Sequence, residues 1–83
     1  MTYLYLVYVR DPVPEQSPLF GNGVELEPGL YLVRTEQTRS RLYHAIKREL
    51  SPAILLVAPL SGLPKFKGMR KHATKDSAAL VAR

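Results

Sequence analysis

The chain has 83 residues, no cysteine and a formal net charge of +5 at pH 7. This length predicts one small domain, and the lack of cysteine excludes disulfides and thiolate metal sites and favours a reducing compartment. No apolar run approaches the roughly 20 residues of a membrane helix, and the N-terminus lacks signal-peptide features. We therefore expect a soluble cytoplasmic protein without membrane contact.

The first predicted element is a strand from Thr2 to Val9. This stretch is rich in aromatic and β-branched residues and ends at the turn signal Arg10-Asp11-Pro12. Both of its faces are apolar, which is typical of a central strand covered on both sides.

A connector rich in proline and glycine follows from Asp11 to Gly29. Its prolines exclude a long helix. The tripeptide Gly21-Asn22-Gly23 fits a tight turn that would join two short strands, around Leu19-Phe20 and Val24-Leu26.

One helix is predicted over Glu36 to Leu50, directly after a second strand, Leu30 to Arg34. Thr35 fits the N-cap position, and Ser51-Pro52 ends the helix. Apolar residues recur along one side of the helix at intervals of about one turn and include Leu42, Tyr43, Ile46 and Leu50.

The run Ala53 to Leu60 is apolar throughout and predicts a third strand of the buried, often parallel kind. Strand, helix and strand from Leu30 to Leu60 make one right-handed βαβ unit with parallel strands. A short terminal helix is expected over Ser77 to Val81. The predicted fold is α+β, a small mixed sheet of roughly three to five strands with one main helix. Residues 1–63 form its core and residues 64–83 a basic C-terminal arm.

The order of elements in this βαβ unit resembles part of a ferredoxin-like sandwich. The likeness implies a half-ferredoxin-like sheet and is familiar in dimers of nucleic-acid-processing proteins. It includes no diagnostic sequence motif. A small nuclease subunit of the CRISPR adaptation type would need a helix straight after Asp11, and Pro12 and Pro14 exclude that helix.

A single main helix covers only one face of such a sheet. Since two of the predicted strands are apolar on both faces, the second face also needs a cover. The connector or the C-terminal segment would serve, but a second copy of the chain is the simpler cover. We therefore expect a homodimer, with sheet packed on sheet or strands paired edge to edge.

The positive charge lies at the C-terminal end. Residues 1–63 carry six cations and six acids, whereas residues 64–83 carry six cations and the single acid Asp76. This asymmetry favours an anionic partner, and nucleic acid fits best. Lysines and arginines would neutralise phosphates, and one aromatic ring would stack on an unpaired base. The predicted contact residues are Lys65, Phe66, Lys67, Arg70, Lys71 and Lys75, supported by Arg41 and Arg48 on the helix.

Two other functions stay open on the sequence alone. A protein-interaction module, such as a phage- or plasmid-type inhibitor or antitoxin, would use an apolar sheet face or the connector. A metal-independent ribonuclease toxin would use His44 or His72 beside its neighbouring cations. The two histidines are far apart in sequence and Glu25 and Glu27 are a weak metal pair, so we predict no metal, no cofactor and a non-enzymatic protein.

Overall fold

The computed structural model of the chain describes residues 2–11, 22–62, 64–65, 67–69 and 73–82. Within them lie four strands and two helices. In chain order these are β1 (Tyr3–Arg10), β2 (Asn22–Glu27), β3 (Leu30–Thr35), α1 (Arg39–Leu50), β4 (Ile54–Leu60) and α2 (Ala73–Ala82).

The strands form one sheet in the order β2-β3-β1-β4. Every neighbouring pair is antiparallel, so the α+β class with one main helix is confirmed and the mixed sheet is wrong. Because β3 and β4 are both antiparallel to β1, they run in the same direction. The first strand lies between them, which is why no parallel pair forms. The half-ferredoxin-like likeness stays a prediction.

The first strand is central, as its sequence predicts. Tyr5, Val7 and Val9 are at most 3 % exposed and face α1, where they pack with Leu42 and Ile46. The remaining core residues of this first cluster are Tyr31 and Val33, with Leu50, Leu55 and Val57 at its margin. The apolar stripe of α1 is thus buried on one face of the sheet.

The opposite face is covered in part by α2. Leu80 on α2 packs with Leu26 on β2 and Leu32 on β3, and all three are at most 2 % exposed. The most extensive contacts of α2 with the sheet are to β2 and β3. A second copy of the chain was expected to cover this second face, and the chain's own helix α2 covers its β2–β3 half instead. The terminal helix is also longer than the predicted Ser77 to Val81.

The hairpin between β2 and β3 turns at Pro28-Gly29. Gly29 has a φ of 86°, and proline followed by a glycine of positive φ is the pattern of a type II turn. The predicted turn at Gly21-Asn22-Gly23 is wrong, since Asn22 and Gly23 already belong to β2. The strand predicted around Leu19-Phe20 lies outside the described residues.

The main helix begins three residues later than predicted. Thr38 is its N-cap, and the Thr38 side chain accepts a hydrogen bond from the backbone N–H of Arg41 at 3.3 Å. Thr35 ends β3, and its hydroxyl accepts from the N–H of Gln37 at 3.1 Å. Both threonine hydroxyls accept from a nearby backbone N–H, but Thr38 caps α1, so the predicted N-cap, Thr35, is wrong. The helix ends at Leu50, and the C-cap Ser51 still donates its N–H to the carbonyl of Lys47 while its left-handed backbone (φ 45°) turns the chain out of the helix.

The fourth strand is an edge strand, with β1 as its one neighbour in the sheet. Its apolar run had predicted a buried strand, but Ile54 is 45 % exposed and Leu56 is 50 % exposed. Both residues lie on the face that carries α2, because they pair with Arg10 and Tyr8 of β1.

Candidate functional site

A hollow of about 690 Å³ opens at one end of the sheet. The start of β1, the ends of β3 and β4 and the first residues of α1 surround it. These elements meet because β3 and β4 run in the same direction, and α1 starts just after β3. In α/β proteins such a crevice, outside the carboxyl ends of strands, is a common ligand site.

The lining of the hollow is cationic. Arg34 at the end of β3 and Arg39 at the start of α1 both line it, and no acidic residue is among the lining residues of the described chain. The first turn of α1 also contains no acid, so the positive end of the helix dipole is not offset there. These charges favour an anion in the hollow.

The two arginines are held differently. Arg34 is half-buried, and its guanidinium donates to the Thr2 hydroxyl (3.3 Å from Nε and from Nη2) and to the Leu80 carbonyl (3.1 Å). Arg39 is exposed. The structure therefore supplies one fixed positive charge and one side chain that is free to reorient toward a ligand.

Tyrosines form one wall of the hollow. The Tyr5 hydroxyl donates a hydrogen bond to the Gln37 carbonyl at 2.9 Å. Burial raises the pKa of Tyr5 and the neighbouring Tyr3 raises it further, whereas the positive charge of Arg39 lowers it. Tyr3 is 39 % exposed, with its ring centroid 6.1 Å from that of Tyr5. The hollow thus combines an accessible ring with cations, as nucleotide-binding surfaces do.

The predicted contact residues are distributed over several elements. Arg41 and Arg48 are exposed on α1, two helical turns apart and therefore on a similar side. Lys65, Lys67 and Lys75 are also exposed. Three of the predicted residues, Phe66, Arg70 and Lys71, lie outside the described residues.

Only one predicted lysine can be placed close to the hollow. Lys65 follows Gly62, a lining residue, by three positions, so their Cα atoms are at most roughly 11 Å apart. The described geometry does not otherwise bring the predicted set together.

The hollow contains residues that the sequence prediction missed. Arg34, Arg39, Ser40, Thr2 and Tyr3 were not selected as site residues. With Thr38 as the N-cap, Arg39 and Ser40 become the first two residues of the helix, directly after the turn that follows β3. The sequence signal for Arg34 is weaker, because it is only a cation near the end of the strand that precedes the helix.

Metal and nucleophilic sites find no further support in the described ranges. These residues hold no group of three or more histidines and acids that would suit a metal ion. A bulge between Glu25 and Glu27 pairs them with Tyr31 and Leu30, which are adjacent and face opposite sides, so the two acids do not share a face. The Tyr31 hydroxyl donates to Glu25 Oε2 at 3.4 Å. His44 is exposed on α1 and stacks edge-on against Tyr43, and His72 lies outside the described residues.

Neither helix that the structure describes is long and apolar enough to cross a membrane. Comparison of the chain with protein-family models, with curated proteins and with solved structures found no match.

Proposed function

We propose that this chain is a small, non-enzymatic, cytoplasmic protein that binds nucleic acid, with the hollow at the centre of its contact surface. The observation that carries the proposal is the pairing of Arg34 and Arg39 in a hollow whose described lining includes no acid. Arginine is suited to phosphate because its planar fork of donors matches the phosphate oxygens. Tyr3 adds an exposed ring on which a base would stack.

Further exposed cations outside the hollow belong to this proposal, although the described geometry does not gather them into one patch. Lys65 is close to its rim, and Lys67, Lys75, Arg41 and Arg48 are exposed. The charge of Arg70 and Lys71 and the ring of Phe66 belong to the same proposal by sequence. Their role is to neutralise phosphates, which makes the affinity strongly dependent on salt.

We propose in addition that the protein acts as a homodimer. The support is the β4 side of the sheet face, where Ile54 and Leu56 are about half exposed, whereas α2 packs mainly on β2 and β3. Large apolar side chains that adjoin each other at a sheet edge commonly mark an interaction surface.

The test is a fluorescence anisotropy titration of the full chain against a short oligouridine RNA and a short DNA duplex, each at about 50 mM and about 200 mM salt. We expect binding at low salt and a loss of affinity of at least about tenfold at high salt. No binding of either probe at low salt would overturn the proposal.

Two outcomes of this experiment would favour the other functions. Absence of binding to both probes would favour a protein-interaction module, whose contact with a protein partner would depend little on salt. Cleavage of the RNA during the titration, abolished by His44→Ala or His72→Ala, would show a ribonuclease. Intact RNA after prolonged incubation supports a binding protein.

A further inference from the structure

The outer edge of β4 carries few of the features that usually protect an exposed strand. Natural edge strands carry charged side chains, prolines, bulges or short lengths that prevent pairing with another chain, and of these β4 has one, Pro59. β4 has seven residues, Ile54–Leu60, and none is charged. Its pairing with β1 continues without a bulge over the whole strand. Among the described strands none pairs with this outer edge, so it is a template for a further strand.

The hydrogen bonds of β1 decide which groups of β4 point outward. The N–H of Val9 donates to the carbonyl of Gly29 at 2.7 Å, so Val9 directs its backbone groups toward β3. Its neighbours in sequence, Tyr8 and Arg10, must then direct theirs toward β4. Tyr8 pairs with Leu56 and Arg10 pairs with Ile54.

The backbone N–H and C=O groups of residues 54, 56, 58 and 60 of β4 therefore point inward and bond to β1. Leu55, Val57 and Pro59 direct theirs to the outer edge. The position of Pro59 supports this assignment independently, because proline has no N–H and is tolerated where the N–H would face away from the sheet. The outer edge thus offers the donors of Leu55 and Val57, and none at Pro59.

From this pattern we infer that a second copy of the chain pairs with β4 in antiparallel fashion, across a two-fold axis at Leu56. This inference rests on the homodimer proposed above and specifies its interface. In this register the N–H of Leu55 bonds to the carbonyl of Val57 in the second copy, the N–H of Val57 bonds to the carbonyl of Leu55, and symmetry doubles both bonds. All the outward groups of Leu55 and Val57 are then satisfied, and Pro59 lies beyond the last bond. Two four-stranded sheets become one continuous sheet.

The side chains near this axis fit a second copy. Leu56 is 50 % exposed in the single chain and would meet Leu56 of the second copy, and Ile54 would meet Ala58. These pairs are of the non-hydrogen-bonded kind, in which facing side chains come closest. A face-to-face stack of two whole sheets is disfavoured, because α2 already occupies the β2–β3 half of the same face. Edge pairing covers the exposed side chains without displacing α2.

Light scattering after size exclusion tests the dimer with the full chain, the variant Leu56→Lys and the control Ala78→Lys. Ala78 is exposed on α2, so the control adds the same charge on another surface. We expect the wild type and the control to have about twice the chain mass of 9.3 kDa, and Leu56→Lys to have the mass of one chain. Two lysines facing each other across the axis would repel. A monomeric wild type, or a dimeric Leu56→Lys protein, would overturn the inference.

A cross-link tests the register itself, because the chain has no cysteine of its own. In Leu56→Cys the two thiols would face each other within disulfide reach. Oxidised glutathione would accept two electrons and two protons from them, giving two molecules of glutathione and one disulfide between the copies. We expect a covalent dimer that a reducing agent converts back to single chains, and no covalent dimer with Ala78→Cys. No cross-link in a dimeric Leu56→Cys protein would contradict the register. The hollow is unchanged in Leu56→Lys, because Leu56 does not line it. Nucleic-acid titration of monomeric Leu56→Lys therefore tests the proposed nucleic-acid binding separately from the proposed dimer.

Discussion

Arg34 on β3 donates a hydrogen bond from Nη1 to the carbonyl oxygen of Leu80, 3.1 Å away in the last turn of α2. Its other nitrogens donate to the Thr2 hydroxyl at 3.3 Å. The guanidinium thus joins the start of the chain, β3 and the terminal helix. Its charge lies at the end of α2 where the helix dipole favours a cation. Arg34 is therefore a structural residue as well as part of the hollow.

We predict that Arg34→Ala lowers the free energy of unfolding by about 1–3 kcal/mol, the usual cost of losing hydrogen bonds to a charged group. Arg34→Lys keeps the charge but not the planar fork, so its loss is smaller. Urea unfolding measures both. Arg10→Ala is the matched control, because Arg10 is exposed and donates a hydrogen bond to the Tyr8 hydroxyl at 3.4 Å. Arg34→Ala that is as stable as this control would contradict the role of Arg34.

Gly29 provides a second test of the fold. Its φ of 86° is a conformation that a side chain disfavours, so Gly29→Ala should destabilise the protein by about 1–2 kcal/mol. Gly62→Ala is the control, since a Cβ at Gly62 meets nothing within 4 Å and Gly62 is not among the positive-φ glycines. Thermal unfolding compares the two variants. Equal melting temperatures would mean that the turn at Pro28-Gly29 does not need its glycine.

The same turn illustrates what the sequence predicts and what it does not. Gly21-Asn22-Gly23 and Pro28-Gly29 are both turn signals, and only contacts distant in sequence decide between them. Val24 and Leu26 pack with Leu32 and Leu80 on one face of the sheet. The strand that carries them begins at Asn22, so the residues of the first turn signal become part of β2. The strand β1 and the apolar side of α1 were predictable because their patterns are local and long.

The candidate site was harder to predict, because it depends on the strand order. β1 inserts between β3 and β4, and no local pattern indicates this insertion. The insertion brings Tyr3 beside the residues that follow β3, Arg39 among them. The charge excess of residues 64–83 was visible in the sequence, but it identifies a composition and not a cavity. The sequence therefore predicts an anionic partner, and it does not indicate the hollow at the end of the sheet.

Ser77 on α2 is fully buried, and its hydroxyl has no hydrogen-bond partner among the described residues. A buried hydroxyl without a partner loses its hydrogen bonds to water and gains none in the protein, which destabilises the folded state. We predict that Ser77→Ala raises the free energy of unfolding by about 1 kcal/mol, or roughly 4–8 °C in melting temperature for a domain of this size. Ser40→Ala, at an exposed position, should change stability by less than about 0.5 kcal/mol. A less stable Ser77→Ala protein would show that the hydroxyl is hydrogen-bonded.

The raised pKa values of two tyrosines predict how the free energy of unfolding changes at alkaline pH. Burial is the main cause that raises the pKa of Tyr5 and of Tyr31 above the ordinary value of 10.0, and the charge of Glu25 raises that of Tyr31 further. The unfolded chain then loses these protons at lower pH than the folded chain, so folding stability is full below pH 10.0 and falls as the pH rises above it.

Urea unfolding over a pH series measures this decline. Tyr5→Phe should reduce its steepness and leave the part due to Tyr31. The same variant should cost about 1 kcal/mol at neutral pH, because the hydrogen bond to Gln37 is lost. An unchanged alkaline decline in Tyr5→Phe would contradict the assignment.

Arg39 gives the most direct test of the proposed nucleic-acid contact. It is exposed at the first position of α1 and lines the hollow, so Arg39→Ala removes a contact charge without opening a core. The fold should not suffer, since a cation is unfavourable at the positive end of a helix. We predict weaker binding to single-stranded RNA and a salt slope smaller by about 0.7, the value for one lost phosphate contact. Arg10→Ala removes the same charge at the opposite end of β1 and should leave the slope nearly unchanged. Equal effects of the two variants would mean that net charge, and not the hollow, determines the affinity.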